Sequence, residues 1–280
     1  MKYILVLISL CLTLLVKAEI DNVPRHDLKN VKYLFECLVD RHDFSYTIFG
    51  SKPMSLADFC LKVPPGLSPY KWVRSQFFMF KKRTSLRSWY KYRDEFDFKD
   101  FIFLDEEEDL ISCLALIIIN KKSMLWVLRE HESIFKEELG DSFIPEVFLE
   151  KFEKKEISFA KATHKSQKLL GIMLGYGVRN ATIFQDRYDL TKAIAKRKKE
   201  NLPEDEVLKQ KLNAIESQVN CFSELDADAI IHPIYFLADL SHPETISLQK
   251  KYEQERQKLI ELRKKCNFMD LVLKRLVTAE

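Results

Sequence analysis

Glycine is scarce in this chain: six in 280 positions, three of them crowded into residues 171–177. Few positions can therefore adopt left-handed backbone without cost, which excludes collagen-like repeats and glycine-rich linkers. Cysteine is sparse as well, six in all and with no CxxC pair, which argues against a disulfide framework or a zinc ribbon. Neither sign of charge dominates, with 45 Lys and Arg against 42 Asp and Glu. The chain thus has no bulk positive excess to offer a nucleic acid or an anionic surface, and no nucleic-acid partner is expected. Beyond the N-terminus no apolar run approaches the roughly 20 residues a membrane helix needs; Leu110 to Ile119 is too short to span. Catalytic motifs are missing too: no GxSxG elbow, no SxxK with its companion motifs and no HExxH.

What is present begins with Met1-Lys2-Tyr3 and the uncharged run Ile4 to Val16, followed by Lys17-Ala18-Glu19. A basic start, an apolar centre and a small residue at the exit are the parts of a secretory signal peptide over residues 1–18. As a helix that apolar run reaches only about 20 Å, against about 30 Å of bilayer core, so cleavage after Ala18 is expected rather than a lasting anchor. Leu10 before Cys11 argues against lipidation. The expected location is therefore periplasmic, outer-membrane-associated or secreted, with no transmembrane span in the mature chain. Loss of Lys2 and Lys17 lowers the formal +3 to near neutrality. Five cysteines remain, and buried free thiols are expected, with Cys37 and Cys60 the one candidate N-terminal pair. Hydrophobic content of 46 %, with 20 Phe and 10 Tyr, is ample for one globular domain over residues 19–280, with a soft boundary near 140.

Periodicity predicts an α+β fold, mostly helical with a small, mainly antiparallel sheet of three to five strands. Residues 27–41 carry Leu28, Val31, Leu34, Phe35 and Leu38 at helical spacing. FSYTIFGSKPMSL reads as a strand leading into a turn, and Tyr70 to Tyr92 as a basic amphipathic helix. The phenylalanines between 96 and 103 and the apolar run 110–119 predict a hairpin whose second strand is buried on both faces. Asn120 opens a helix to about Leu139, stopped by Gly140, and Pro145 starts another. A longer helical segment runs through the glycines to about 200. Asn201 with Glu204 and Ser241 with Glu244 have capping-box spacing, residues 228–239 are extended, and NFMDLVLKRLV is strand-like.

The clustered Gly171, Gly175 and Gly177, followed by Asn180, are the candidate cofactor-binding residues, since backbone must approach something closely there and a helix start binds phosphate. The order fits neither nucleotide fingerprint, so tight helix packing through Gly171 and Gly175 is the favoured explanation and no cofactor is expected. His232, Asp239 and His242 lie within eleven residues and, with His164, are the catalytic candidates. No ligand spacing accompanies them and no metal is expected. The basic stretches at 81–83 and 196–199 read as solvated helix faces.

Three phrases, TIFGSKPMSL at 47–56, HKSQKLLGIMLGYGVRNA at 164–181 and HPETISLQKKYEQERQKLIELRKKCNF at 242–268, resemble uncharacterised exported or envelope-associated proteins of chlamydia-like intracellular bacteria. The resemblance implies a double-membraned source and an envelope or host-directed location, and it carries no catalytic residues. The expected function is non-enzymatic binding of a protein partner in the envelope or host. The alternatives are a hydrolase with its site near His164, Asn180, His232 and Asp239, or a lipid or peptide carrier using the Phe-rich region 77–103.

Overall fold

Strand β3 (Cys113–Asn120) explains why the chain folds as it does, because its side chains alternate between two separate hydrophobic cores. The computed structural model describes residues 23–60, 66, 68–108, 113–224, 229–265 and 267–278; residues 1–18, expected from sequence to be a signal peptide, lie outside them. β3 is the middle of a three-stranded antiparallel sheet, flanked by β1 (Met54–Cys60) and β2 (Phe101–Glu108) in the order β1-β3-β2. Leu116 and Ile118 face one core with Ala57 and Phe103; Ile117 and Ile119 face the other with Met54, Ile102 and Leu104. All four β3 residues are at most 1 % exposed, so the uninterrupted apolar run satisfies two faces at once.

The first core is covered by α1 (Arg25–Arg41), α2 (Phe44–Ile48), α3 (Pro69–Tyr92), α11 (Pro243–Arg263) and α12 (Phe268–Val277). Its centre is aromatic. Trp89 meets Phe35 edge-on at 5.3 Å and Phe103 at 5.0 Å between ring centroids. The second core is covered by α4 (Lys121–Glu130), α5 (Glu132–Leu139), α6 (Pro145–Glu153), α7 (Phe159–Ala162), α8 (Gln167–Met173) and the start of α9 (Val178–Lys199). A chain of ring contacts from Phe135 through Phe143, Phe148 and Phe152 to Phe159, stacked at its two ends and inclined between them, binds those short helices together. α10 (Glu206–Gln218) packs on α9, and the short pair β4 (Asn220–Cys221) and β5 (Leu237–Ala238) leads into α11.

The expected helical α+β class with a small antiparallel sheet is what the chain forms. Several local expectations are corrected. Residues 44–48 are helix α2 rather than strand, and the strand begins only at Met54, past the Gly50 and Pro53 breaks. The helix expected from Asn120 to Leu139 is interrupted at His131, and the long one through the glycines is broken at 174–177. Asn201, with φ +53°, closes α9 instead of opening α10, whose cap is Asp205, accepting from the Val207 and Leu208 N–H groups. The strand-like C-terminal stretch is helix α12: Phe268, Val272, Leu273, Leu276 and Val277 are buried at helical spacing. Cys37 is a buried free thiol, so the pairing with Cys60 is not made; in the ladder Cys60 lies opposite Cys113. Among the described residues no helix is long and apolar enough to cross a membrane.

Candidate functional site

A cavity of about 830 Å³ opens where the ends of both sheet-covering layers meet. It is built from the loop after α2, the end of β3, the face of α4, the glycine turn between α8 and α9, and one face of α11. Each wall has a local cause.

Asn120 ends β3 and caps α4 in one residue: its Oδ1 accepts from Ser123 N–H at 3.1 Å while its Nδ2 donates to the Thr47 carbonyl at 3.2 Å. The strand therefore turns directly into helix, and Lys122, Ser123, Trp126 and His131 are carried to the cavity. On the opposite side α11 contributes Glu244, Leu248, Lys251 and Tyr252, residues spaced to share one helical face. The Tyr252 hydroxyl donates to the Gly175 carbonyl at 2.8 Å.

Two glycines make the turn beside it. Gly175 has φ +76°, and a Cβ there would lie 2.5 Å from the Tyr252 hydroxyl; Gly177 has φ +84°, and a Cβ would lie 2.7 Å from the Glu244 carboxyl carbon. Glu244 accepts from the Val178 and Arg179 N–H groups at 2.9 Å each, so the positive end of α9 is occupied by a carboxylate of the chain itself. The expected Ser241–Glu244 capping box is replaced by His242, whose Nδ1 accepts from Glu244 N–H, which leaves the Glu244 side chain to reach across to α9.

Electrostatically the site is mixed. Lys251 is half-buried beside apolar Leu248, and burial pushes its amine below the ordinary lysine value while the nearby Glu255 opposes the shift. Arg275 is bound at 2.9 Å to Asp100. Behind the wall, Lys52 is wholly buried; its ammonium meets Asp43 at 3.0 Å and donates to the Met54 carbonyl. Burial lowers the Lys52 amine too, and Asp43 counters it. Ser51 lines the cavity with its hydroxyl shielded and unpartnered. Among the described residues no hydrogen bond joins a lining hydroxyl to the His131 imidazole, and no three His, Cys, Asp or Glu side chains converge as a metal site.

The sequence-derived candidates divide. Gly175 and Gly177 line the cavity; Gly171 instead meets Ala181, where a Cβ would come within 2.8 Å of the alanine Cβ and force α8 from α9. Asn180 and Asp239 are brought together: Asn180 Oδ1 accepts from the Asp239 and Thr245 groups at 3.0 and 3.1 Å. Asp239 in turn accepts from Ser241 and Arg179, and these hydrogen bonds, that of Ser241 foremost, hold its carboxyl below the ordinary range. This network ties α9 to the start of α11. His242 caps α11 beside it. His232 lies elsewhere, with Asp40 and Arg263 around a shallower cavity, and His164 sits in the α7–α8 turn with φ +51°. None of His164, Asn180, His232, Asp239 and His242 lines the large cavity. Of the residues that do the building, Asn120 and Glu244 read in sequence only as helix-start signals, and Lys52, Lys251 and Tyr252 carry no sequence motif; the spacing of 244, 248, 251 and 252 on one helical face is a signal that could have found the α11 wall. Comparison with protein-family models, with curated proteins and with solved structures finds no match to this chain.

Proposed function

We propose that this chain is a binding protein whose ligand enters the large cavity, an apolar molecule with an acidic head. The observation that carries the reading is the pairing of a half-buried lysine, Lys251, with the apolar surfaces of Ile48, Phe49, Ile172 and Leu248 in one cleft. A volume of about 830 Å³ suits one small molecule rather than a protein segment with its own fold. Lys251 and Lys122 supply the positive charge for the head; Arg275 is paired with Asp100, Glu244 is turned to the α9 N-terminus, and Glu130 is the remaining carboxyl of the lining. Export by the segment 1–18 and an envelope or host-side location, as in the chlamydia-like proteins it resembles, belong to the same proposal and rest on sequence alone.

The test titrates straight-chain carboxylates of increasing length while following Trp126, which stands at the mouth 62 % exposed, in a Trp72→Phe background. A saturable fluorescence change that grows with chain length and is lost in Lys251→Met supports the reading. Absence of saturation across the whole series overturns it.

A further inference from the structure

Helix α3 turns two different faces to two different surroundings. Its second half is anchored: Leu86 and Trp89 are buried in the first core, Lys82 sits over the Phe78 ring at 4.8 Å, and Lys81 sits over Tyr33 at 4.0 Å. Its first half does the opposite. Tyr70, Val73, Phe77 and Phe80 recur at the spacing of one helical face and are 76 %, 61 %, 69 % and 66 % exposed, with Trp72 beside them at 49 %. From Tyr70 to Phe80 this stripe runs about 15 Å along the axis. Exposed aromatics on this scale exceed the isolated apolar residues of an ordinary surface and mark a contact face.

We propose that the outward face of the first three turns of α3 docks this protein onto an anionic lipid surface. The charge pattern selects the occupant. Pro69–Tyr92 contains Lys71, Arg74, Lys81, Lys82, Arg83, Arg87 and Lys91 and not one Asp or Glu, in a chain whose overall charge is close to balanced. Positive charge is thus segregated onto the helix that exposes the rings. Lys71 and Arg74 border the stripe, and the exposed Arg83 and Arg87 continue the same side of the helix beyond it. Tyr and Trp with basic neighbours match the headgroup level of a bilayer, where rings meet acyl chains and cations meet lipid phosphates and carboxylates. Rings this exposed stand proud of the surface, a shape that inserts into a fluid interface. The expectation that no lipid surface attracts the chain holds for its bulk charge and fails for this helix, because attraction within a Debye length depends on local charge.

The contact involves no residue of the cavity, so the two proposals fail independently. The experiment is flotation of the full chain with vesicles of phosphatidylcholine, with and without phosphatidylserine, at low salt. The variants are Phe77→Ser with Phe80→Ser, and Lys71→Glu with Arg74→Glu, each checked for an unchanged melting temperature. The wild type is expected to float only with phosphatidylserine, with a blue shift of Trp72 emission in a Trp126→Phe background. Each double variant is expected to lose affinity about tenfold or more, and added salt to weaken binding. Failure of the wild type to float, equal flotation with neutral vesicles, or retained affinity in both folded variants overturns the proposal.

Discussion

Glu244, in the first turn of α11, closes the N-terminus of α9 through the Val178 N–H at 2.9 Å. One carboxylate therefore sits at the positive ends of two helices, and the left-handed Gly177 is what lets the backbone come so near it. Glu244→Ala leaves the Val178 and Arg179 donors without their partner and is expected to cost about 2 kcal/mol, and Glu244→Gln about 1 kcal/mol, in urea unfolding. The vacated helix end should then take a free anion, so phosphate should raise the melting temperature of Glu244→Ala more than that of the wild type.

The contact of Gly171 with Ala181 makes a reciprocal prediction. Gly171→Ala drives two methyl groups together and is expected to destabilise by about 1–3 kcal/mol. Ala181→Gly in the same chain removes the clash and should restore part of the loss, less about 1 kcal/mol for glycine inside a helix. A double-mutant cycle by chemical denaturation measures the coupling; strictly additive losses would refute the close approach.

That contact also shows what sequence could and could not reveal. Three glycines within 171–177 announced tight backbone, and the structure uses each: one for helix contact and two for a left-handed turn at the cavity. The two-faced burial of β3 was equally legible, because an unbroken apolar run has no polar face to offer water. Helix α12 was misread because a short apolar run such as Leu271, Val272 and Leu273 does not by itself distinguish strand from helix, and burial of Val272, Leu273, Leu276 and Val277 on one face decided its state. The cavity was invisible for a different reason. Asn120 lies far in sequence from the adjacent Lys251 and Tyr252, and they meet only because β3 delivers α4 opposite α11. His232, Asp239 and His242 are near in sequence, but β5 and the turn into α11 carry Asp239 to Asn180 and leave His232 beside Asp40.

Lys52 and Asp43 form a second testable pair. The ammonium is wholly buried, so removing it alone leaves the carboxylate facing a pocket built for a cation. Lys52→Met is expected to cost about 3 kcal/mol, and Lys52→Met with Asp43→Asn to recover at least about half of that, because burying two charges is itself costly. Equal stabilities of the single and double variants would show that the pair is not coupled.

Lys251 gives the pH prediction. Its folded-state amine lies below the ordinary 10.5, so between the lowered value and 10.5 the unfolded chain binds the additional proton. Stability contributed at this position therefore rises with pH through that window, and Lys251→Met should flatten that part of the curve. The same shift makes Lys251 more often neutral, hence more nucleophilic, than a solvated lysine at any pH below the window. Brief treatment with an amine-acylating reagent near neutral pH, read by peptide mass spectrometry, should modify Lys251 ahead of the exposed Lys122 at the other wall of the cavity. A long-chain carboxylate bound in the cleft should protect Lys251 by pairing with the protonated amine. Modification of Lys122 first at every pH tested would overturn the expected order of reactivity.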